Sequence, residues 1–278
     1  MQIKIGSHVS MKAPDYLVGS VLEALSYGAN AMMIYNGAPQ NLNRAPVGNL
    51  RINEFEKLLQ QHNIPNENVV VHAPYIVNLA TIDEEKWHFA VNFIANEIKR
   101  TNLYQAKYFV FHPGSNADHE TGIKQVARAI NEINKINKNV VLCIETMSGK
   151  GNEIASNFEE IAKIIKSVEN KNLIGVCIDT CHINDAGYDV KNIDETLELF
   201  DKSVGLKYLK VIHVNDSLNE RGHKKDRHAN IGEGTIGLPT LKRWVQDLRL
   251  QQQIKILETP YMEGKPIYKK EIEMLLKQ

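Results

Sequence analysis

Short runs of β-branched residues recur along the chain, separated by stretches of helical period. IKIGSHV (3–9), AMMIY (31–35), NVVVHAPY (68–75) and KYFVFHPG (107–114) read as strands. VVLCIETM (140–147), IGVCIDTC (174–181), YLKVIHVND (208–216) and IKILETP (254–260) complete a set of eight. Between them, segments such as INEFEKLLQQH and NFEEIAKIIKSVEN carry apolar residues at i, i+3, i+4 and i+7. SNFEE opens the second of these with a Ser or Asn cap and acids in the first turn. Successive strands start 28 to 46 residues apart, room for one strand, one helix and two loops.

Eight strands alternating with helices predict a (β/α)8 barrel, whose usual length of about 250 residues fits a chain of 278. An open doubly wound sheet is the competitor, but no G-x-G-x-x-G follows a strand. No Pro/Gly/Ser-rich linker divides the chain, so residues 1–278 are expected to form one domain. The longest irregular stretch, NDSLNERGHKKDRHANIGEGTIG, follows the seventh strand, where a barrel carries an active-site loop.

Residues i and i+2 of a strand share a face. Val70 precedes His72 by two, as Val110 precedes His112 and Cys143 precedes Glu145. Cys177 stands in the same relation to Asp179, Val211 to His213 and Ile256 to Glu258. Six strands thus end in an apolar residue, a spacer and then a His or carboxylate, which predicts an apolar layer inside the barrel capped by a polar ring at its C-terminal mouth. A lone His or Glu at a strand end is ordinarily a hydrogen-bonded rim residue. Six on one ring are different, because packed carboxylates repel one another unless cations lie between them. A polynuclear metal site is the expectation. Oxygen and nitrogen donors without cysteine suit Zn²⁺, Mn²⁺ or Fe²⁺ better than Mg²⁺ or Ca²⁺. His182, just past the sixth strand, and Asp226 with His228, which would face one way if extended, could hold one further ion. The three cysteines read as packing residues, Cys143 and Cys177 in the apolar layer and Cys181 beyond it.

Charge adds a constraint on the partner. Lys plus Arg and Asp plus Glu both number 33, which excludes a globally basic nucleic-acid binder but leaves room for a local, metal-supplied positive site. Glu145, Asp179, Asp226 and Glu258 bring −4, so three divalent ions would leave the mouth near +2 and attractive to a phosphodiester. An odd cysteine count, no apolar run long enough to span a membrane and a start without a leader pattern predict a reduced, cytoplasmic protein. Nothing suggests a large apolar surface, and a monomer is expected.

GSHVS, VVHAPYIVNLA, FHPGS, CIETMSGKG, GVCIDTCHINDAGYD, HVNDS, DRHANIGEG and ILETP, in this order and spacing, resemble the endonuclease IV family of metal-dependent apurinic/apyrimidinic endonucleases. The resemblance runs nearly end to end. It implies a trinuclear zinc centre: His72, His112 and Glu145 on one ion; Glu145 as bridge with Asp179, His213 and Glu258 on a second; His182, Asp226 and His228 on a third. It implies hydrolysis of the phosphodiester 5′ to an abasic site in double-stranded DNA, leaving a 3′-hydroxyl and a 5′-deoxyribose phosphate. It further implies DNA bending by the loops after the second and third strands, with Gln40, Asn41, Arg44 and Tyr75 as candidates. Here the chain departs from members that place an arginine earlier in the second loop. Arg221, Lys224, Lys225 and Arg227 form a basic cluster able to touch phosphates. His8 is expected behind the ligands rather than among them. His62, His88 and His119 read as surface residues, His223 as lying outside the metal pattern, and NEIKR as exposed helix. The enzymatic alternative is a metal-dependent sugar isomerase or epimerase of the xylose isomerase-like barrels, which does not need the third donor set.

Overall fold

The computed structural model describes residues 2–277. Eight parallel strands close into a barrel: β1 (Ile5–His8), β2 (Ala31–Tyr35), β3 (Val69–His72), β4 (Tyr108–Phe111), β5 (Val141–Glu145), β6 (Ile174–Asp179), β7 (Leu209–His213) and, last in the chain, Ile254–Leu257. Between the seventh and last barrel strands, Asp216–Ser217 and His228–Ala229 pair as a short antiparallel hairpin, β8 and β9, so the closing strand is β10. Each barrel strand pairs in parallel with its neighbour, and β10 returns to β1 through pairs such as Gly6 with Ile256.

The period-2 pattern is realised. Val70, Val110, Cys143, Cys177, Val211 and Ile256 meet inside the barrel. The residues one position on, Val71, Phe111, Ile144, Ile178, Ile212 and Leu257, face outward and pack with the helices. Helices α1 (Tyr16–Ser26), α2 (Ile52–Gln61), α3 (Glu84–Leu103), α4 (His119–Asn134) and α5 (Phe158–Ser167) surround the first half. Helices α6 (Thr180–Ala186), α7 (Ile193–Ser203), α8 (Leu238–Gln246) and α9 (Tyr268–Leu276) surround the second. Asn157 caps α5, accepting from the Glu160 amide at 2.9 Å, with Glu159 and Glu160 in the first turn.

The strands are shorter than the β-branched runs suggested. β3 and β4 stop before Pro74 and Pro113, which have no amide to donate. β6 stops at Asp179, whose carboxylate accepts from the His182 amide at 2.9 Å and starts α6 directly. Thr180 and Cys181 are therefore helical rather than the end of a strand over 174–181, and the Cys181 side chain is buried. The long stretch after β7 is ordered around the β8–β9 hairpin. NEIKR is only partly exposed, because Glu97 and Ile98 turn inward from α3.

Closure of β1 against β2 requires Gly6: a Cβ there would fall 1.8 Å from the Ala31 carbonyl oxygen. Gly6→Ala must therefore push two backbones apart. It is expected to lower unfolding free energy by at least about 2 kcal/mol, read as a lower urea midpoint, and an unchanged midpoint would contradict this account of the seam.

Candidate metal centre at the barrel mouth

Glu145 lies at the centre. Its side chain ends β5, buried, with each carboxylate oxygen facing two histidines, His72 and His112 on one side and His213 and His182 on the other. Oε2 is 2.9 Å from His72 Nε2 and 3.2 Å from His112 Nε2. Oε1 is 3.1 Å from His213 Nδ1, which also lies 2.8 Å from Glu258 Oε2 and 3.8 Å from Asp179 Oδ2. His112 and Glu258 stand one residue past β4 and β10, still on the ring. Toward the loop after β7, His182 Nε2 is 3.1 Å from Asp226 Oδ1, and His228 Nε2 is 3.6 Å from both that oxygen and Asp179 Oδ2.

Donor atoms of His72, His112 and Glu145 lie within 4.8 Å of one another, as do those of Glu145, Asp179, His213 and Glu258, and those of His182, Asp226 and His228. Two features fit these sets to metal ions. His72, His182 and His228 turn Nδ1 to the backbone carbonyls of Ala73 (2.7 Å), Thr146 (2.8 Å) and Glu258 (3.3 Å). A donated Nδ1–H leaves the Nε2 lone pair toward the mouth, the usual way a protein orients a ligating imidazole. Moreover, His228 Nε2 is buried without a hydrogen-bond partner while two carboxylate oxygens stand 3.6 Å away, spacing that suits an intervening cation better than direct contact.

Titration behaviour follows from this crowding. Burial alone would push the Glu145 carboxyl up, but His213 and His112 outweigh it and hold it well below the usual range. Glu258 is likewise lowered, burial being overcome by His213. Asp226 is brought down to about 2, burial again being overcome, here by the His182 hydrogen bond and charge. Burial pulls both His182 and His213 toward neutrality, but Asp179, Asp226 and Glu145 raise His182, and Cys177 followed by Glu258 and Glu145 raises His213, each well above 6.5.

The ring has a supporting layer. Asn215 donates Nδ2–H to Asp179 Oδ2 at 2.7 Å and accepts the Glu258 amide at 2.9 Å, while Thr146 Oγ1 accepts the Asp179 amide at 3.0 Å. Sequence reasoning passed over Asn215 and Thr146 although HVNDS and CIETM contain them; an uncharged residue beside a ligand carries little signal alone. The His8 ring is 5.0 Å from that of Tyr35, which in turn is 5.2 Å from His72. Burial lowers the His8 pKa, with Glu258 opposing. Burial pushes the Cys177 thiol up to about 12, and Cys143 and Cys181 are also raised by burial, which disfavours the reactive thiolate at all three.

The outlying candidates separate. Gln40 and Tyr75 are exposed, and Tyr75 lines a cavity of about 220 Å³ with His112, Gly114 and Met147. Asn41 accepts the Asn43 amide at 2.9 Å within its turn. Arg44 does not reach out. Its Nε is 2.9 Å from the buried Glu97 carboxylate, its guanidinium lies over Phe93, and only 10% of its side chain is exposed. Lys224, Lys225 and Arg227 are exposed beside Asp226, whereas Arg221 is paired with Asp189 at 3.2 Å. Asp226 has φ 57°, so it and His228 are not aligned by strand alternation; the loop's own bonds bring them together. His62, His88 and His223 are exposed, but His119 is not a simple surface residue, since its Nδ1 lies 2.6 Å from the buried Glu160.

A family model described as a xylose isomerase-like TIM barrel matches residues 21–278, so barrel and mouth together define a member of that class. Within it, "Probable endonuclease 4" of Malacoplasma penetrans (strain HF-2) is 47% identical over 275 residues, covering 98% of this chain and 95% of the relative. Endonuclease IV from Thermus thermophilus superposes with a TM-score of 0.84 at 30% identity, covering 94% of each chain. The chain belongs to the endonuclease IV family of enzymes. A D-tagatose 3-epimerase-like protein also superposes, with a TM-score of 0.70 over 97% of this chain and 95% of that one, but at 19% identity it shares the fold alone.

Two outcomes are expected. His182 and His213 are raised above the ordinary imidazole value, so each holds a second ring proton to higher pH than a free histidine and must give it up to ligate a cation. Loading with Zn²⁺ should release protons, and apparent affinity should fall as pH is lowered from 8 to 6. Calorimetry in buffers of different ionisation enthalpy reads this, and zero release would refute it. Arg44→Ala strands a buried carboxylate and should cost about 3 kcal/mol of stability while leaving DNA affinity nearly unchanged; the reverse pattern would return Arg44 to the DNA interface.

Proposed function

We propose that the protein is an apurinic/apyrimidinic endonuclease working through three divalent ions, with zinc the best match to the donors. His72, His112 and Glu145 would hold one ion, Glu145 with Asp179, His213 and Glu258 a second, and His182, Asp226 and His228 a third. The observation that carries this reading is Glu145, whose Oε2 faces His72 and His112 and whose Oε1 faces His213 and His182, together with the adjoining third set. A sugar epimerase of this fold has no use for that third set. Ions held there would supply Lewis acidity and lower the pKa of water, which removes the need for a side-chain general base.

The reaction consistent with the site is addition of a water oxygen to phosphorus 5′ to the abasic sugar and cleavage of the P–O3′ bond. The products are a 3′-hydroxyl and a 5′-deoxyribose phosphate. The chain's own part is positional. Glu145 ties two donor groups together, Asn215 fixes both Asp179 and the backbone at Glu258, and the Nδ1 bonds of His72, His182 and His228 keep their Nε2 atoms aimed at the mouth. Tyr75 and Gln40 are exposed, as are Lys224 and Arg227 on the loop after β7, and these side chains would be free to meet a bent duplex and its phosphates. An abasic nucleotide unstacks at low cost and fits a pocket that a full nucleotide would not.

A duplex with one synthetic abasic site, incubated with protein loaded with Zn²⁺ or Mn²⁺, should be cut on the 5′ side of the lesion. Glu145→Ala should abolish incision and Cys177→Ala should keep it. Asp226→Ala with His228→Ala should slow cutting more than it weakens binding. Absence of incision by the loaded protein would sink the proposal.

A further inference from the structure

Asp185 is a buried carboxylate one turn beyond His182 on α6, and it belongs to none of the three donor sets. No cation pairs with it among the described residues. Its oxygens accept instead from four groups: Ser217 Oγ at 2.7 Å, Asn184 Nδ2 at 3.2 Å, Asn219 Nδ2 at 2.9 Å and the Asp226 backbone amide at 2.9 Å. The backbone joins in, with the Lys224 amide donating to the Asp185 carbonyl and the Gly222 amide to that of Asn184, both at 2.9 Å. The end of α6 thus grips both limbs of the loop that connects β8 to β9. The grip matters most at Asp226, a non-glycine residue in the left-handed region at φ 57°, a conformation that persists only where the surroundings impose it.

We propose that Asp185 is a positioning residue for the third donor set. Its carboxylate holds the Asp226 amide so that the Asp226 side chain meets His182 Nε2 and His228. One short helix therefore supplies a donor, His182, and the clamp that aims its two partners. The inference rests on the reading that His182, Asp226 and His228 hold an ion. An asparagine at 185 would keep the volume while removing the charge and half the acceptor capacity that the four donors share.

The test compares wild-type and Asp185→Asn protein on two readouts. In metal-free protein, amide exchange over residues 222–228 should be at least about 10-fold faster in the variant, with the β3 and β5 strands unchanged. After reloading with Zn²⁺ and dialysis, the variant should lack close to one zinc per chain, or bind it about 10- to 100-fold more weakly. Asn219→Ala removes one donor from a half-buried position and should show the same changes on a smaller scale, which keeps the test open if the first variant does not fold. Wild-type exchange together with wild-type zinc content would overturn the proposal. So would zinc loss spread over all sites with faster exchange in β3 and β5, which marks a general folding role. Wild-type protein that takes up no zinc would defeat the functional reading alone, and the exchange comparison would still decide whether Asp185 clamps the loop.

Discussion

Four carboxylates converge on one barrel mouth, and the rest of the site answers to their repulsion. Two like charges about 4 Å apart interact by roughly 4 kcal/mol at an effective dielectric near 20, so Glu145, Asp179, Glu258 and Asp226 cannot share this space uncompensated. Without a cation the carboxylates favour the protonated form of His182 and His213, whose pKa values are raised above the ordinary imidazole value. Divalent cations would do the same work with more charge and fixed geometry. The backbone bonds to Nδ1, the Asn215 bridge and the burial of Glu145 are all arrangements for holding this gathering still.

Much of this was legible because a strand has a period of exact alternation and a barrel turns that period into layers. Val211 and His213, or Cys143 and Glu145, need only two-residue spacing to be assigned to the inner layer and the ring above it. What escaped depends on pairings distant in sequence. Arg44 and Glu97 are 53 residues apart, and nothing near Arg44 announces that a carboxylate waits on α3 to draw it inward. His119 and Glu160 are joined across 41 residues in the same way. Strand ends escaped for a local reason: a β-branched run continues past the point where proline or a capping aspartate ends pairing, as at Pro74, Pro113 and Asp179.

Charge balance over the whole chain hides a strong local contrast. Equal numbers of basic and acidic residues give zero net charge, yet the mouth gathers four acids at its centre and places Lys224, Lys225 and Arg227 beside them. Such an arrangement leaves a polyanion little to gain from the protein at large. Attraction is confined to the rim and to whatever cations the centre holds, which concentrates binding where chemistry can occur.

The donors to this centre are spread from His72 on β3 to Glu258 beyond β10, and β10 is the strand that closes the barrel onto β1. During synthesis Glu258 is the last of them to emerge, long after His72. A nascent or half-folded chain therefore holds an incomplete ring, with His213 lacking its Glu258 partner. A centre assembled from donors so far apart exists only once the topology is finished, because its last member follows the strand that closes the barrel.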